Sequence, residues 1–265
     1  MDWVVAHEGD VRLAAFLSIL LLMLALEALR PRRVMPLHRR LRWSANFGIV
    51  LLDTVLVRLL IPMGAVGVAL WAQQSHIGLF QLTDLPFWIE VLLSFLALDC
   101  LIYWQHRFFH WAPALWRLHR THHSDIEFDT TTAVRFHPVE ILISMLIKMA
   151  AVAALGAPAI AVIVFEIALN GTAMFNHANL RLPASLDAAL RLIVVTPDLH
   201  RTHHSVHRGE HDSNFGFNLP WWDRMFGSYT PQPRDGHTGM TIGLSQFREP
   251  GAQRLDALLV QPLRD

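Results

Sequence analysis

FWIEVLLSFLALDCLIYWQHRFFHWAPALWRLHRTHH, residues 87–123, runs from an apolar stretch directly into clustered histidines. Residues 87–105 are long enough, at ~1.5 Å rise per residue, to cross most of a hydrocarbon core about 30 Å thick. Asp99 lies near the inner end of that run, where burial of an acid demands a partner. His106 and His110 follow four residues apart, and His119, His122 and His123 stand at spacings of three and four. On a helix, residues at those spacings share one face, so each cluster can aim its imidazoles at one point. Trp111-Ala112-Pro113 places a proline where a first helical turn accepts it, so a second helix is expected to begin there.

Outward from this stretch the chain keeps the same character. Hydrophobic residues make up 53% of the 265 and charged residues 17%, against roughly a quarter charged in soluble domains. Residues 11–29, 46–72, 139–155 and 158–175 are further hydrophobic helices. In the first, positive charges follow the apolar run and no small-residue cleavage site is evident, so it reads as a transmembrane helix and not as a signal peptide. Asp53 and Arg58 interrupt the second, and neither is expected to face lipid. Gly156-Ala157-Pro158 suits a tight hairpin between the last two, which span fully or only dip in, since they contain Lys148 and Glu166. The charges balance at 22 basic and 22 acidic residues, so nothing suggests nucleic acid. Cys100 is the single cysteine, which excludes an intrachain disulfide and a four-thiolate cluster.

Arginines concentrate in 30–42, 106–138 and 176–265 and are missing from 1–10, 73–86 and the hairpin tip. By the positive-inside pattern the N-terminus lies outside and every histidine cluster faces the cytoplasm. The expected fold is therefore all-α: a polytopic bundle of four to five hydrophobic helices carrying a cytoplasmic, histidine-rich helical cap, with residues 1–265 as one integral-membrane domain.

The heptapeptide LHRTHHS of residues 118–124 recurs unchanged at 199–205, adding His200, His203 and His204. Two half-sites on equivalent helices are its simplest meaning, one pair of helices serving each metal or sharing both. One ion takes four to six ligands, whereas the three clusters offer eight, so a dinuclear site is implied. His177, in Phe175-Asn176-His177, returns to the same membrane face and is taken as a ninth ligand. Metal-bound imidazoles usually donate their other N–H to a carboxylate or carbonyl. Asp99, Asp198 and Asp223 are candidates for that role, with a helix cap open for Asp198 and an arginine pair for Asp223. His137, before Pro138, is either a ligand or a group bonded to one. His207 and His211 read as solvent-exposed or as partners of ligands, and His7, His38, His76 and His237 as lone surface or core histidines.

Imidazole suits iron, copper, nickel and zinc alike. A hydrolytic zinc site of the His-Glu-x-x-His type is not present, and a transporter would place its ligands at mid-membrane. Oxygen chemistry on a lipid C–H bond fits histidines that begin where the apolar runs stop. The alternative is a non-enzymatic membrane protein that binds or handles metal ions.

The order HxxxH, HxxHH, Asn-His, HxxHH resembles the fatty acid hydroxylase superfamily, which includes sterol desaturases and sphingolipid hydroxylases. The resemblance covers residues 99–229 and extends to His137-Pro138-Val139-Glu140, to Asn214-Phe215-Gly216 and to Trp222-Asp223-Arg224-Met225-Phe226-Gly227. It implies two iron ions, with zinc possible in purified protein, held by His106, His110, His119, His122, His123, His177, His200, His203 and His204. It also implies O2 as co-substrate and hydroxylation or desaturation of a membrane lipid or sterol. No cytochrome b5-like segment is read in this chain, so a separate ferredoxin, cytochrome or reductase is expected to supply electrons, a pterin being the other option.

Overall fold

A proline decides where the second apolar run breaks. In the computed structural model, which describes residues 1–34 and 39–264, helix α1 (Asp2–Ala6) leads into α2 (Glu8–Leu29), and α3 (Arg39–Leu60) is followed by a separate α4 (Gly64–Gln74). The expected single helix over 46–72 is thus two. Pro62 has no N–H to give and its ring clashes with the preceding turn, while Gly64, at φ +59°, takes the left-handed conformation that redirects the chain. At ~1.5 Å per residue α3 reaches about 33 Å and α4 only about 16 Å. His38 lies outside the described residues.

The remaining elements are α5 (Phe87–Trp111), α6 (Pro113–His123), a 3-10 turn (Thr130–Val134), α7 (Pro138–Leu155) and α8 (Ala159–Asn176). A series of short helices follows: α9 (Ala184–Leu190), α10 (Pro197–His203), α11 (Arg208–His211), α12 (Trp221–Met225), α13 (Gly236–Gly239) and α14 (Leu255–Val260). No strand occurs among the described residues beyond two isolated bridges, Pro31 with Leu180 and Ser205 with Ile242. Five helical segments are long and apolar enough to cross a membrane.

Helix α8 is the hub. Val162, Ile163 and Phe165 are fully buried against Leu20 and Met23 of α2, Val66 of α4, Leu98 of α5 and Val152 of α7. Lys148 of α7 and Glu166 of α8 form a buried ion pair inside the hairpin, and Arg12 of α2 reaches the same carboxylate at 3.1 Å. Pairing answers the cost of burying those charges among apolar helices. Asp53 is buried as expected, but Arg58 is exposed. It sits in the last turn of α3, where a long side chain can carry its charge past the end of the helix.

At one end of the bundle the chain closes by backbone contact. Gly156 caps α7 at φ +66°, and a Cβ on Gly78 would fall 2.1 Å from the Gly156 nitrogen. At the other end lies the histidine region, locked to α3 by charge. Arg42 donates to Asp125 at 2.5 and 2.8 Å and to Asp129 at 3.0 Å, all three side chains being buried. Burial would raise the Asp125 carboxyl, but Arg42 and Arg135 hold it well below the usual carboxylate range.

The substitution Gly78→Ala has no room at Gly156. It is expected to cost about 1–3 kcal/mol and lower the thermal midpoint of the solubilised protein by about 2 °C or more. Gly209→Ala, whose Cβ meets nothing within 4 Å, should leave the midpoint unchanged.

Candidate metal centre

Helix α5, at about 37 Å, outruns a hydrocarbon core, and its last two turns carry His106 and His110. Ala112 is extended at ψ 119°, as a residue before proline must be, and Pro113 opens α6 at its first position. The chain therefore folds back, bringing His119 and His123 against His106 and His110, with ring centroids 4.7–5.0 Å apart. His177 caps the end of α8, and α10 opens at Pro197 to present the second heptapeptide.

The rings form two sets whose ligand atoms lie within 4.8 Å of one another: His106, His110, His119, His123 and His203 in the first, and His122, His177, His200 and His204 in the second. The repeated heptapeptides contribute by exchange. The first and last histidines of LHRTHHS, four residues apart, go to one set, and the middle one crosses to the other. Thus His119 and His123 are joined by His203, and His200 and His204 by His122. Residues i+3 and i+4 fan to either side of residue i on a helix, so two facing copies interlock in this way. Each heptapeptide serves both sets, whereas His106 and His110 both serve the first.

The nitrogens fit metal ions. An ion with bonds of about 2.0–2.2 Å keeps its ligand atoms roughly 3–4 Å apart, and Nε2 of His177 lies 3.2 Å from Nε2 of both His122 and His200. Nε2 of all five rings in the first set is buried with no hydrogen-bond partner. Leaving one such atom unpaired costs about 1–3 kcal/mol, so packing alone gives no reason to gather them. Where the other nitrogen meets a carbonyl the tautomer is fixed, because a carbonyl only accepts. His106 Nδ1 donates to Phe215 O at 2.8 Å, His203 Nδ1 to Ser213 O at 2.6 Å and His177 Nδ1 to Ala173 O at 2.8 Å. Their Nε2 atoms therefore carry bare lone pairs. Burial pulls His119 and His177 down to about 3. It also holds His122, His123, His200, His203 and His204 well below 6.5, with repulsion from neighbouring rings adding to it.

Comparison with known proteins places this arrangement. The family model for fatty acid hydroxylase matches residues 91–228, which run from the start of α5 past α12 and include all nine rings. The chain belongs to the fatty acid hydroxylase family. It is similar to an ornithine lipid hydroxylase of Rhizobium tropici, 30% identical over 181 residues that make up 68% of this chain and 54% of that protein. The alkylglycerol monooxygenase of Homo sapiens is 29% identical over 154 residues, 58% of this chain and 34% of that protein. A very-long-chain aldehyde decarbonylase of Oryza sativa is 26% identical over 183 residues, 64% of this chain and 29% of that protein. The chain thus spans about half the length of the first relative and about a third of the other two. No solved structure gives a significant match. Together with the five apolar helices, family membership makes this an integral membrane protein.

The short motifs around the histidine clusters hold the rings from behind. Glu140, of His137-Pro138-Val139-Glu140, accepts from His119 Nδ1 at 2.6 Å. Its role was not assigned from sequence, although the motif was visible there and Glu140 falls in the first turn of α7. Asn214, at φ +51°, and Gly216 form the turn that aims the Ser213 and Phe215 carbonyls at His203 and His106. A Cβ on Gly216 would lie 2.8 Å from both Leu219 O and Asp223 Oδ2. Asp212 meets His110 Nδ1 at 3.3 Å. It too escaped the sequence reading, hidden beside the more prominent His211. Phe136 stacks on the His122 ring at 4.4 Å.

Four expected partners of ligand rings do other work. Asp99 accepts from Asn218, the Leu219 amide and Trp222, tying α5 to the segment before α12. It lies almost two turns before His106, too far to meet a ring. His137 is neither ligand nor ring partner: its Nδ1 accepts from Val139 N and caps α7, and Nε2 donates to Leu259 O. Asp198 pairs with Arg32 and Arg201. Asp223 touches no ring and is not paired with Arg224. It accepts from the Phe215 and Gly216 amides and from Ser228, and burial pushes it up to about 6. It acts on His106 only through the Phe215 backbone. His211 is buried, stacked on Trp116 at 5.4 Å, whereas His207 is partly exposed and meets Asp235.

Neutral burial of these rings sets an acid limit on the metal-free fold. His119 and His177 titrate at about 3 when folded, against 6.5 when free, so the unfolded chain binds protons first as pH falls. Their contribution is complete above pH 6.5 and is lost progressively toward pH 3. Tryptophan fluorescence of chelator-treated protein should show an acid transition in that window, moved to lower pH by added zinc.

Proposed function

We propose that this chain is an oxygen-dependent, non-haem di-iron oxidoreductase that hydroxylates an unactivated C–H bond in the alkyl part of a membrane lipid, with desaturation as the variant outcome. The observation that carries the reading is the pair of buried, interlocked imidazole sets, with every Nε2 of the first set left without a hydrogen-bond partner. His106, His110, His119, His123 and His203 would hold one ion, and His122, His177, His200 and His204 the other. Bound ferrous ions supply oxygen activation, the chemistry that a saturated C–H bond requires. The overall balance is a lipid C–H, O2, two electrons and two protons giving a lipid alcohol and water.

The chain's own residues do the rest. Carbonyls of Ala173, Ser213 and Phe215 and the carboxylates of Glu140 and Asp212 fix the ring orientations. Phe128, Phe136, Phe215 and Phe217 line the rings with apolar surface and keep water from them. Because His106 and His110 sit on the same helix as an apolar span, an alkyl chain in the bilayer can approach the rings without leaving it. The names of two relatives, an ornithine lipid hydroxylase and an alkylglycerol monooxygenase, support hydroxylation of a polar lipid. Both acids nearest the rings are engaged with Nδ1 atoms, which argues against a hydrolytic base.

The arginine-rich end with the rings is read as cytoplasmic and the N-terminus as outside. Electrons then come from a cytoplasmic ferredoxin, cytochrome or reductase.

Purified protein should hold two ions per chain, and His200→Ala about one, by elemental analysis. Glu140→Gln should weaken binding at the first set by about 10–100-fold in a chelator competition. Lipids of cells making the wild-type chain should gain a species heavier by one oxygen that is absent with His122→Ala and under anaerobic growth. Two bound ions with no change in any lipid would leave metal handling as the function.

A further inference from the structure

Where α2 leaves the apolar bundle, a cavity of about 390 Å³ is lined by Arg30, Pro31, Arg181, Leu182 and Pro183. Two strands of irregular chain hold its walls together. Arg181 N donates to Arg30 O and Arg32 N to Asn179 O, both at 2.9 Å, around the Pro31 and Leu180 bridge. Buried Glu27 of α2 anchors the same frame by accepting from the Asn179 amide at 2.6 Å and the Thr130 amide at 2.7 Å. The two arginines are therefore carried side by side on a fixed backbone.

Both guanidinium groups are exposed. Among the described residues neither Arg30 nor Arg181 has a hydrogen-bonded or ion-paired side chain. Their neighbour Arg32 is bound to Asp198 and Arg33 to His237 O. Two like charges held on one wall without a counter-charge repel, and an oxyanion between them removes that cost while accepting paired N–H bonds.

The surroundings say where the oxyanion comes from. Leu29, immediately before Arg30, is 77% exposed at the end of a candidate span. On the other side, the chain after Pro183 shows Leu186, Leu192 and Ile193 to the exterior. Apolar side chains on both flanks and arginines between them describe the level at which a bilayer's headgroups begin.

We propose that Arg30 and Arg181 form a binding site for the phosphate headgroup of an anionic membrane phospholipid. The site is separate from the ring cluster and holds whether or not that cluster is an oxygenase.

The test uses delipidated full-length protein in detergent and an acyl-labelled phosphatidylglycerol, read by fluorescence anisotropy against the phosphatidylcholine analogue. Wild-type protein should prefer phosphatidylglycerol by about tenfold or more. Arg30→Gln with Arg181→Gln should abolish the preference at unchanged thermal midpoint. Lysine at both positions should keep part of it, and Arg58→Gln, another exposed arginine, should keep all of it. Absence of a preference in the wild type, a result that needs no variant, overturns the proposal. So does its survival in the double glutamine variant. Displacement of the labelled lipid by an equal concentration of inorganic phosphate would show a free-anion site and overturn the lipid assignment.

Discussion

Nine imidazoles buried in one volume cannot all be charged: they must stay neutral, and His106, His110, His119, His177 and His203 each set Nδ1 against a fixed carbonyl or carboxylate. Much of the polar region follows from that requirement. The turn at Asn214 and Gly216 exists in its strained form because two carbonyls must face His203 and His106. Asp223 is buried, at the cost of a raised carboxyl, because its two oxygens hold the amides of that turn. Glu140 lies at the start of an apolar helix because His119 needs an acceptor there.

The membrane helices serve the same end by length and position. A helix longer than the hydrocarbon core can be anchor and carry rings on its last turns, and α5 is such a helix. Helix α8 sits at the centre of the apolar packing and ends at His177, so the second set is tied to the best-buried element of the bundle. Lys148 with Glu166 inside the hairpin, and Arg42 with Asp125 and Asp129 at its polar end, fix the relative placement of α7, α8 and α3 by charges that would be costly to separate.

The exchanged heptapeptides make the two sets interdependent. A heptapeptide that supplied one set alone could shift without affecting the other. Crossing His122 and His203 between sets means that α6 and α10 must keep a single relative position for either set to form. The two sets are thereby held as a pair by the backbone.

The sequence by itself determined the helical class, the apolar segments and the identity of all nine converging rings. These depend on period, hydropathy and side-chain chemistry, which are local. It also showed the repeat at 118–124 and 199–205, but not its crossed use, since spacing along one helix does not say which neighbour a ring meets. It missed the break at Pro62 by reading hydropathy through a backbone constraint. It chose Asp99, Asp198, Asp223 and His137 as ring partners for their nearness in the chain, whereas Glu140 and Asp212 meet the rings. Hydrogen-bond partners between segments are a matter of direction and a few ångströms, and only the packing of α5, α6, α7 and α10 against one another decides them.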